Sequence, residues 1–181
     1  ISQCRGIPTE KLPVVHRVND PIAICDEILE TMPNRPEIIH KEHEAYYSFE
    51  YDYINMPNLK TFESSEAYYH VLWHELVHST GNKARLNRHA LIPNKGFGSR
   101  GYAIEELTAE MGASFLSSFA GIQHSSFNNS VAYIGNWLTW LKNDHRLIVS
   151  AGSQAQKAVD YILGKDYKDE LTEIETKIDI V

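Results

Sequence analysis

The sequence predicts an α+β domain: a small antiparallel or mixed sheet packed on a bundle of helices, with one buried helix at its centre. Three observations point there. Helical apolar spacing recurs in five separate segments. The β-forming residues gather in one block, 37–56. The segment 64–80 is apolar on almost every side, which is the mark of a central helix. A chain of 181 residues suits one domain with a single core.

Residues 1–19 contain Pro8 and Pro13 and read as an irregular arm, with a short strand at Val14–Val18. The domain proper is expected over 20–164. Asp20-Pro21 reads as a helix cap followed by proline in the first turn, opening a helix to about Met32. Ile24, Cys25, Ile28 and Leu29 share its apolar face, and Pro33 and Pro36 stop it. From Glu37 to Met56, the β-formers Tyr46, Tyr47, Phe49, Tyr51, Tyr53 and Ile54 alternate with polar residues. Two or three short antiparallel strands are expected there. Ser64 or Ser65 caps the central helix, which runs to about Thr80 with Gly81 as a left-handed stop.

Residues 82–101 form a loop rich in Gly, Asn and Arg, long enough to suggest function. A helix from about Tyr102 to Ala120 ends at Gly121. Helices at about 130–143 and 150–163 follow, the second stopped by Gly164. The charged segment 165–181 reads as a frayed tail.

Composition narrows the class. Formal net charge is −7, so the mean field does not attract nucleic acid. Cys4 and Cys25 make neither a disulfide framework nor a zinc knuckle, and a reducing cytoplasm is the expected setting. No apolar run approaches the ~20 residues of a membrane span, so no membrane association is expected. Ile1–Gly6 lacks the apolar core of a signal peptide, and a first residue other than Met suggests an upstream segment.

The chemistry gathers at His74-Glu75-Leu76-Val77-His78. Histidines four apart on a helix lie one turn apart on one face. Both imidazoles can then reach one metal ion at about 2.0–2.1 Å. Glu75 is rotated by roughly 100° from His74, where it can meet a water on the metal as a general base. Chance alone yields about 0.04 such matches in a chain of this composition. Two imidazoles and a carboxylate on so apolar a helix need a partner, and a metal is one. Backbone carbonyls satisfying two core histidines would be the bland alternative.

Zinc prefers four ligands, and a catalytic site leaves one for water, so a third protein ligand is needed. Glu105-Glu106-Leu107-Thr108-Ala109-Glu110 supplies the candidates. Glu106 is assigned as ligand and Glu110 as the carboxylate supporting a histidine; the reverse order also fits the spacing. Ala109, Gly112 and Ala113 lie on the same face and would let two helix backbones approach closely. Glu105 is expected to face away, toward solvent.

A wider pattern surrounds these residues. Asp52-Tyr53-Ile54-Asn55-Met56-Pro57, Phe62, Tyr68-Tyr69, His74 through Gly81 and Arg85-Leu86-Asn87-Arg88 come first. Glu105 through Glu110, Tyr133 through Leu138 and Ala155-Gln156-Lys157-Ala158 follow in order. Together they resemble the zincin-like metallopeptidase domain of ArdC-type antirestriction proteins. The resemblance covers about 52–163. It implies a zincin-like fold, a gluzincin-like site with Glu106 as third ligand, Zn2+ as cofactor, and an antirestriction or DNA-transfer setting on mobile elements. In fuller members a single-stranded-DNA-binding domain precedes the peptidase domain, so any DNA contact is expected through a domain not in this chain. Asn82 departs from the pattern, standing where members often carry a histidine.

The expected activity is that of a zinc metalloendopeptidase acting on a protein or peptide. His74, His78 and Glu106 hold the zinc, and Glu75 takes the water proton and passes it to the leaving amine. The stretch Phe49–Asn55 is expected to pair with an extended peptide. Tyr102, or His145, is a candidate donor to the oxyanion; both also read as packing or surface residues. Arg85, Arg88 and Arg100 flank the site, either to hold an anionic group or to form salt bridges with Asp52 or Glu110. His40 and His43 read as a solvated strand end. Trp137 and Trp140 read as core. The rival reading is a non-proteolytic, DNA-associated antirestriction module whose metal is structural.

Overall fold

A computed structural model describes residues 19–88, 99–122 and 146–165. The arm expected over 1–19 lies outside these residues, apart from Asn19. So do the helix expected at 130–143, His145, both tryptophans of that helix, and the tail beyond Lys165.

The chain opens with helix α1, Ala23–Thr31, which buries Cys25 and Ile28. Asp20 does not cap it. The residue before the helix is Ile22, without a side-chain cap. Instead the Asp20 carbonyl accepts from Ser65 Oγ, and the Ile22 amide donates to Tyr69 Oη. The helix therefore starts later than Asp20-Pro21 suggests, because Asp20 is held by its carbonyl at the start of the central helix and Ile22 is extended.

Three strands follow: β1, Glu37–Ile39; β2, Tyr46–Ser48; and β3, Tyr53–Asn55. Their order is β1-β3-β2. β2 and β3 form the expected antiparallel hairpin, but β1 runs parallel to β3. The reason lies in Asn55, fully buried on β3. Its side-chain oxygen accepts from the amides of Lys41 and Glu42, and its nitrogen donates to the carbonyls of Glu42 and Glu44. One amide side chain thus satisfies the connection that carries the chain from β1 across to β2. This arrangement also corrects the expected peptide-pairing stretch. Phe49–Asn55 covers the hairpin turn and the middle strand, which is bonded on both sides. Among the described residues the edges are β1 and β2.

Helix α2, Ser65–Thr80, is capped by Ser64 Oγ accepting from the Ala67 amide. Tyr68, Tyr69, Leu72, Trp73, Leu76 and Val77 bury it. Gly81 closes it in a right-handed conformation rather than the left-handed one expected. The left-handed turn comes later, at Asn87 with φ 52°. Helix α3, Arg100–Phe119, is capped by Ser99. Gly121, at φ 67°, ends its turn as the sequence suggests. Helix α4, Arg146–Ile162, packs on α3 and also reaches α2 and α1.

The mixed α+β architecture is thus a three-stranded sheet and four helices among the described residues, with α2 central. No helix among them is long and apolar enough to cross a membrane.

The contact between α2 and α3 positions the site. At Gly112, an added Cβ would lie 2.6 Å from Val77 Cγ2 and 3.2 Å from Cγ1. Val77 is β-branched and stiff in a helix, so it cannot swing aside. Gly112→Ala should therefore destabilise the protein by about 1–2 kcal/mol although alanine favours helix by about 1 kcal/mol. Thermal unfolding should show the loss as a lower Tm. Adding Val77→Ala should recover part of it.

Candidate metal centre

Helix α2 carries three histidines at four-residue spacing: His70, His74 and His78. Helix α3 faces them with Glu105, Glu106 and Glu110. Both helices are otherwise apolar on the shared face, so these side chains have only each other, nearby polar groups, or a cation.

The Nε2 atoms of His74 and His78 lie 3.1 Å apart. Glu106 points its two oxygens at them, Oε2 at 3.7 Å from His74 Nε2 and Oε1 at 3.4 Å from His78 Nε2. One ligand atom from each of His74, His78 and Glu106 falls within 4.8 Å of the others. Ligands about 2.1 Å from a shared ion, at angles of about 90–109°, sit roughly 3.0–3.4 Å apart. Two of these separations fall in that range and the third, 3.7 Å, lies just beyond it, so a small shift of Glu106 closes the three on one divalent cation.

The outer nitrogens support this fit. His74 Nδ1 lies 3.3 Å from Glu110 Oε2, and His78 Nδ1 lies 3.1 Å from Glu105 Oε1. Ionised carboxylates only accept, so each Nδ1 carries the proton and donates. In the neutral rings both Nε2 lone pairs are then turned inward, where only a proton or a metal can reconcile them. The other Glu110 oxygen lies 3.4 Å from His70 Nε2, and His70 Nδ1 lies 3.2 Å from Ser117 Oγ.

Two of these residues were not anticipated. Glu105 is not solvated; it is 7% exposed. Besides His78, it meets Arg88 through Nε at 2.8 Å and Nη2 at 2.7 Å. The helical turn that aims Glu106 between the two histidines also carries Glu105 into the interface, beside the end of α2. The buried arginine is what makes that position tolerable. His70 could have been found from its spacing, one turn before His74. Of the salt bridges expected for the arginines, Arg85 pairs with Asp52, while Arg88 pairs with Glu105 rather than Asp52 or Glu110. Arg85 also donates to the Ser79 and Asn34 carbonyls, tying the hairpin to the end of α2. Asn82 donates to Tyr47 Oη in the same cluster.

Glu75 is half-buried on α2, and its charge acts on both imidazoles. Tyr102 sits in the first turn of α3, half-buried.

Charges in the site are coupled. Burial pulls His78 down, but hydrogen bonds to Glu105 and Glu106 push it up to about 10. Burial also pulls His74 down, and Glu106 and Glu110 more than reverse this. Burial raises Glu106, yet its bonds to the two histidines hold it at about 2. Burial raises Glu105 too, and Arg88, then His78, hold it well below the usual carboxylate range.

A half-buried pair of histidines on one helix, closed by a glutamate from the next, makes a candidate metal site of the HExxH class in an α+β domain. The chain belongs to the zincin-like metallopeptidase family, whose profile matches residues 26–154. It is 39% identical over 132 residues to a DNA primase TraC of Escherichia coli, covering 72% of this chain and 12% of that protein. It is 35% identical over 126 residues to protein y4eC of Sinorhizobium fredii, covering 70% of this chain and 40% of that one. Among solved structures it is similar to the antirestriction protein ArdC from plasmid R388 in its Mn(II)-bound form. There the TM-score is 0.67 at 36% identity, covering 87% of this chain and 57% of ArdC. The metal-free ArdC structure gives a TM-score of 0.66 at 35% identity. The chain spans about an eighth of TraC and little more than half of ArdC.

The raised histidines set a pH dependence. Without metal, His78 contributes stability fully below about 6.5 and loses it as pH climbs through about 10. Glu106 contributes fully above about 4.5 and loses it as pH falls toward about 2. Metal loading near pH 8 must expel the proton from His78, and His74 is raised as well, so binding should release at least about one proton and weaken at least about tenfold per unit fall in pH. Calorimetry in two buffers of different ionisation enthalpy reads this release directly. Equal apparent heats in both buffers would contradict it.

Proposed function

We propose that this chain is a metal-dependent peptidase domain, with zinc as its resident cation, in an antirestriction or DNA-transfer protein of a mobile element. The observation that carries this is the company Glu75 keeps. A carboxylate stands beside two inward-facing imidazoles whose outer nitrogens are each held by a second carboxylate. A purely structural site has no use for an extra base and closes its fourth position with a ligand.

His74, His78 and Glu106 would hold the cation. When bound, it supplies Lewis-acid chemistry, acidifying water and polarising a carbonyl. Glu75 accepts the proton of the attacking water and returns it to the leaving amine. Glu110 and Glu105 accept the Nδ1 protons and so aim each Nε2 inward, toward the cation. Tyr102 is the candidate donor to the oxyanion. Edge strand β2, which packs on α2, offers an extended peptide a backbone to pair with. Two nitrogens and one carboxylate suit zinc, and the same set accepts manganese, which is the ion bound in the ArdC structure.

A second reading is favoured by the relatives themselves. They are named an antirestriction protein and a DNA primase, and this chain matches only part of each. On that reading the domain is a non-proteolytic, DNA-associated module with a structural metal.

Glu75→Gln separates the two. The peptidase reading expects full metal content by elemental analysis and a fall in hydrolysis of unfolded casein by at least about 10²-fold. Hydrolysis at the wild-type rate in that variant would remove Glu75 from its role. A wild type that cleaves nothing but shifts single-stranded DNA in a gel would favour the second reading. Tyr102→Phe with full activity would remove Tyr102 as the oxyanion donor.

A further inference from the structure

We propose that Arg88 and Glu105 form a charged clamp whose work is to aim His78, making Arg88 a positioning residue for the metal. This rests on the reading of His74, His78 and Glu106 as a cation site.

The geometry closes a circuit. The Arg88 guanidinium holds both Glu105 oxygens, Nε on Oε2 at 2.8 Å and Nη2 on Oε1 at 2.7 Å. It is itself fixed to the helix that carries the ligand, Nη2 on the Val77 carbonyl at 2.7 Å and Nη1 on Thr80 Oγ1 at 2.8 Å. Thr80 Oγ1 donates in turn to the Val77 carbonyl. Val77 is the residue before His78, so the path His78, Glu105, Arg88, Val77 returns to its start through one peptide bond. A glutamate side chain alone has several free torsions. Gripped at both oxygens by a planar fork, it keeps Oε1 turned toward His78 Nδ1. The ring can then present Nε2 only toward Glu106 and His74.

The loop after α2 is shaped to deliver this arginine. The Leu86 amide donates to the Thr80 carbonyl, and the Asn87 amide to that of Asn82. Asn87 takes the left-handed conformation that asparagine tolerates, which turns Arg88 back over the helix end. Arg88 is 4% exposed. A buried ion pair is weak evidence of stabilisation, since apolar replacements of both partners are often neutral. That leaves the aim of His78 as the property the charges serve.

The test uses that asymmetry. Metal dissociation constants are measured by chelator competition with zinc, and Tm is measured on the metal-free protein. Arg88→Met alone should lower Tm, because it strands a buried carboxylate. Arg88→Met with Glu105→Leu should regain part of that Tm yet bind zinc about 10- to 100-fold more weakly, since His78 Nδ1 has lost its acceptor. A folded double variant with wild-type affinity would overturn the proposal. If the double variant does not fold, Arg88→Lys decides. It keeps the charge and loses the fork, and zinc binding weakened by at least about threefold supports the clamp, while unchanged affinity overturns it. A wild type that binds no zinc or manganese instead sinks the reading of the site, before any variant is compared.

Discussion

Three imidazoles and three carboxylates are packed between two helices whose surroundings are apolar, and the rest of the structure accommodates that one contact. Each charge taken from water carries a penalty that only close, well-oriented partners repay. The helices must therefore approach closely at one level, where Gly112 lies against Val77. Along the same contact the side chains interdigitate, so that Glu106 lies between His74 and His78, Glu110 between His70 and His74, and Glu105 against His78. A domain whose centre is polar needs its stability elsewhere. The sheet, α1 and the aromatic row Tyr68, Tyr69 and Trp73 supply that apolar core on the other side of α2.

The same contact explains why the site is organised rather than merely crowded. Each candidate ligand histidine is tied at Nδ1 to its own carboxylate, so neither ring can flip without breaking a charge-assisted bond. The pair is not sealed from solvent, the His74 side chain being 21% exposed. Glu75, half-buried on the same helix, is near enough for its charge to act on both rings. Arg85 and Arg88, three residues apart in the loop after α2, divide the remaining work. Arg85 fastens the hairpin through Asp52, and Arg88 reaches the site through Glu105.

Much of this was legible from residue spacing, because helices translate sequence directly into faces. The histidine pair, the companion Glu75, the Glu106 and Glu110 candidates and the small residues of α3 all follow from the 3.6-residue period. Sheet geometry was less legible. Strands of three residues carry almost no periodic signal, and the parallel pairing of β1 depends on Asn55, whose side chain satisfies a connection no pattern announces. Helix ends were read within a few residues: α1 starts late where Asp20 accepts from Ser65 instead of capping, and α2 ends at Thr80 as expected although Gly81 is right-handed.

Glu105 marks the boundary most clearly. On a helical wheel it lies a full 100° from Glu106, which by itself argues for solvent. Burial there becomes affordable only because Arg88 arrives from another part of the chain, carried by a left-handed turn at Asn87. By itself, the sequence determined the class of fold, the central helix and the chemical kinds of group at the site, since these are set by local period and composition. The tertiary structure alone decided which carboxylate faces which nitrogen and which arginine holds it, because those pairings join residues as distant in sequence as His70 and Glu110 and exist only once two helices have packed.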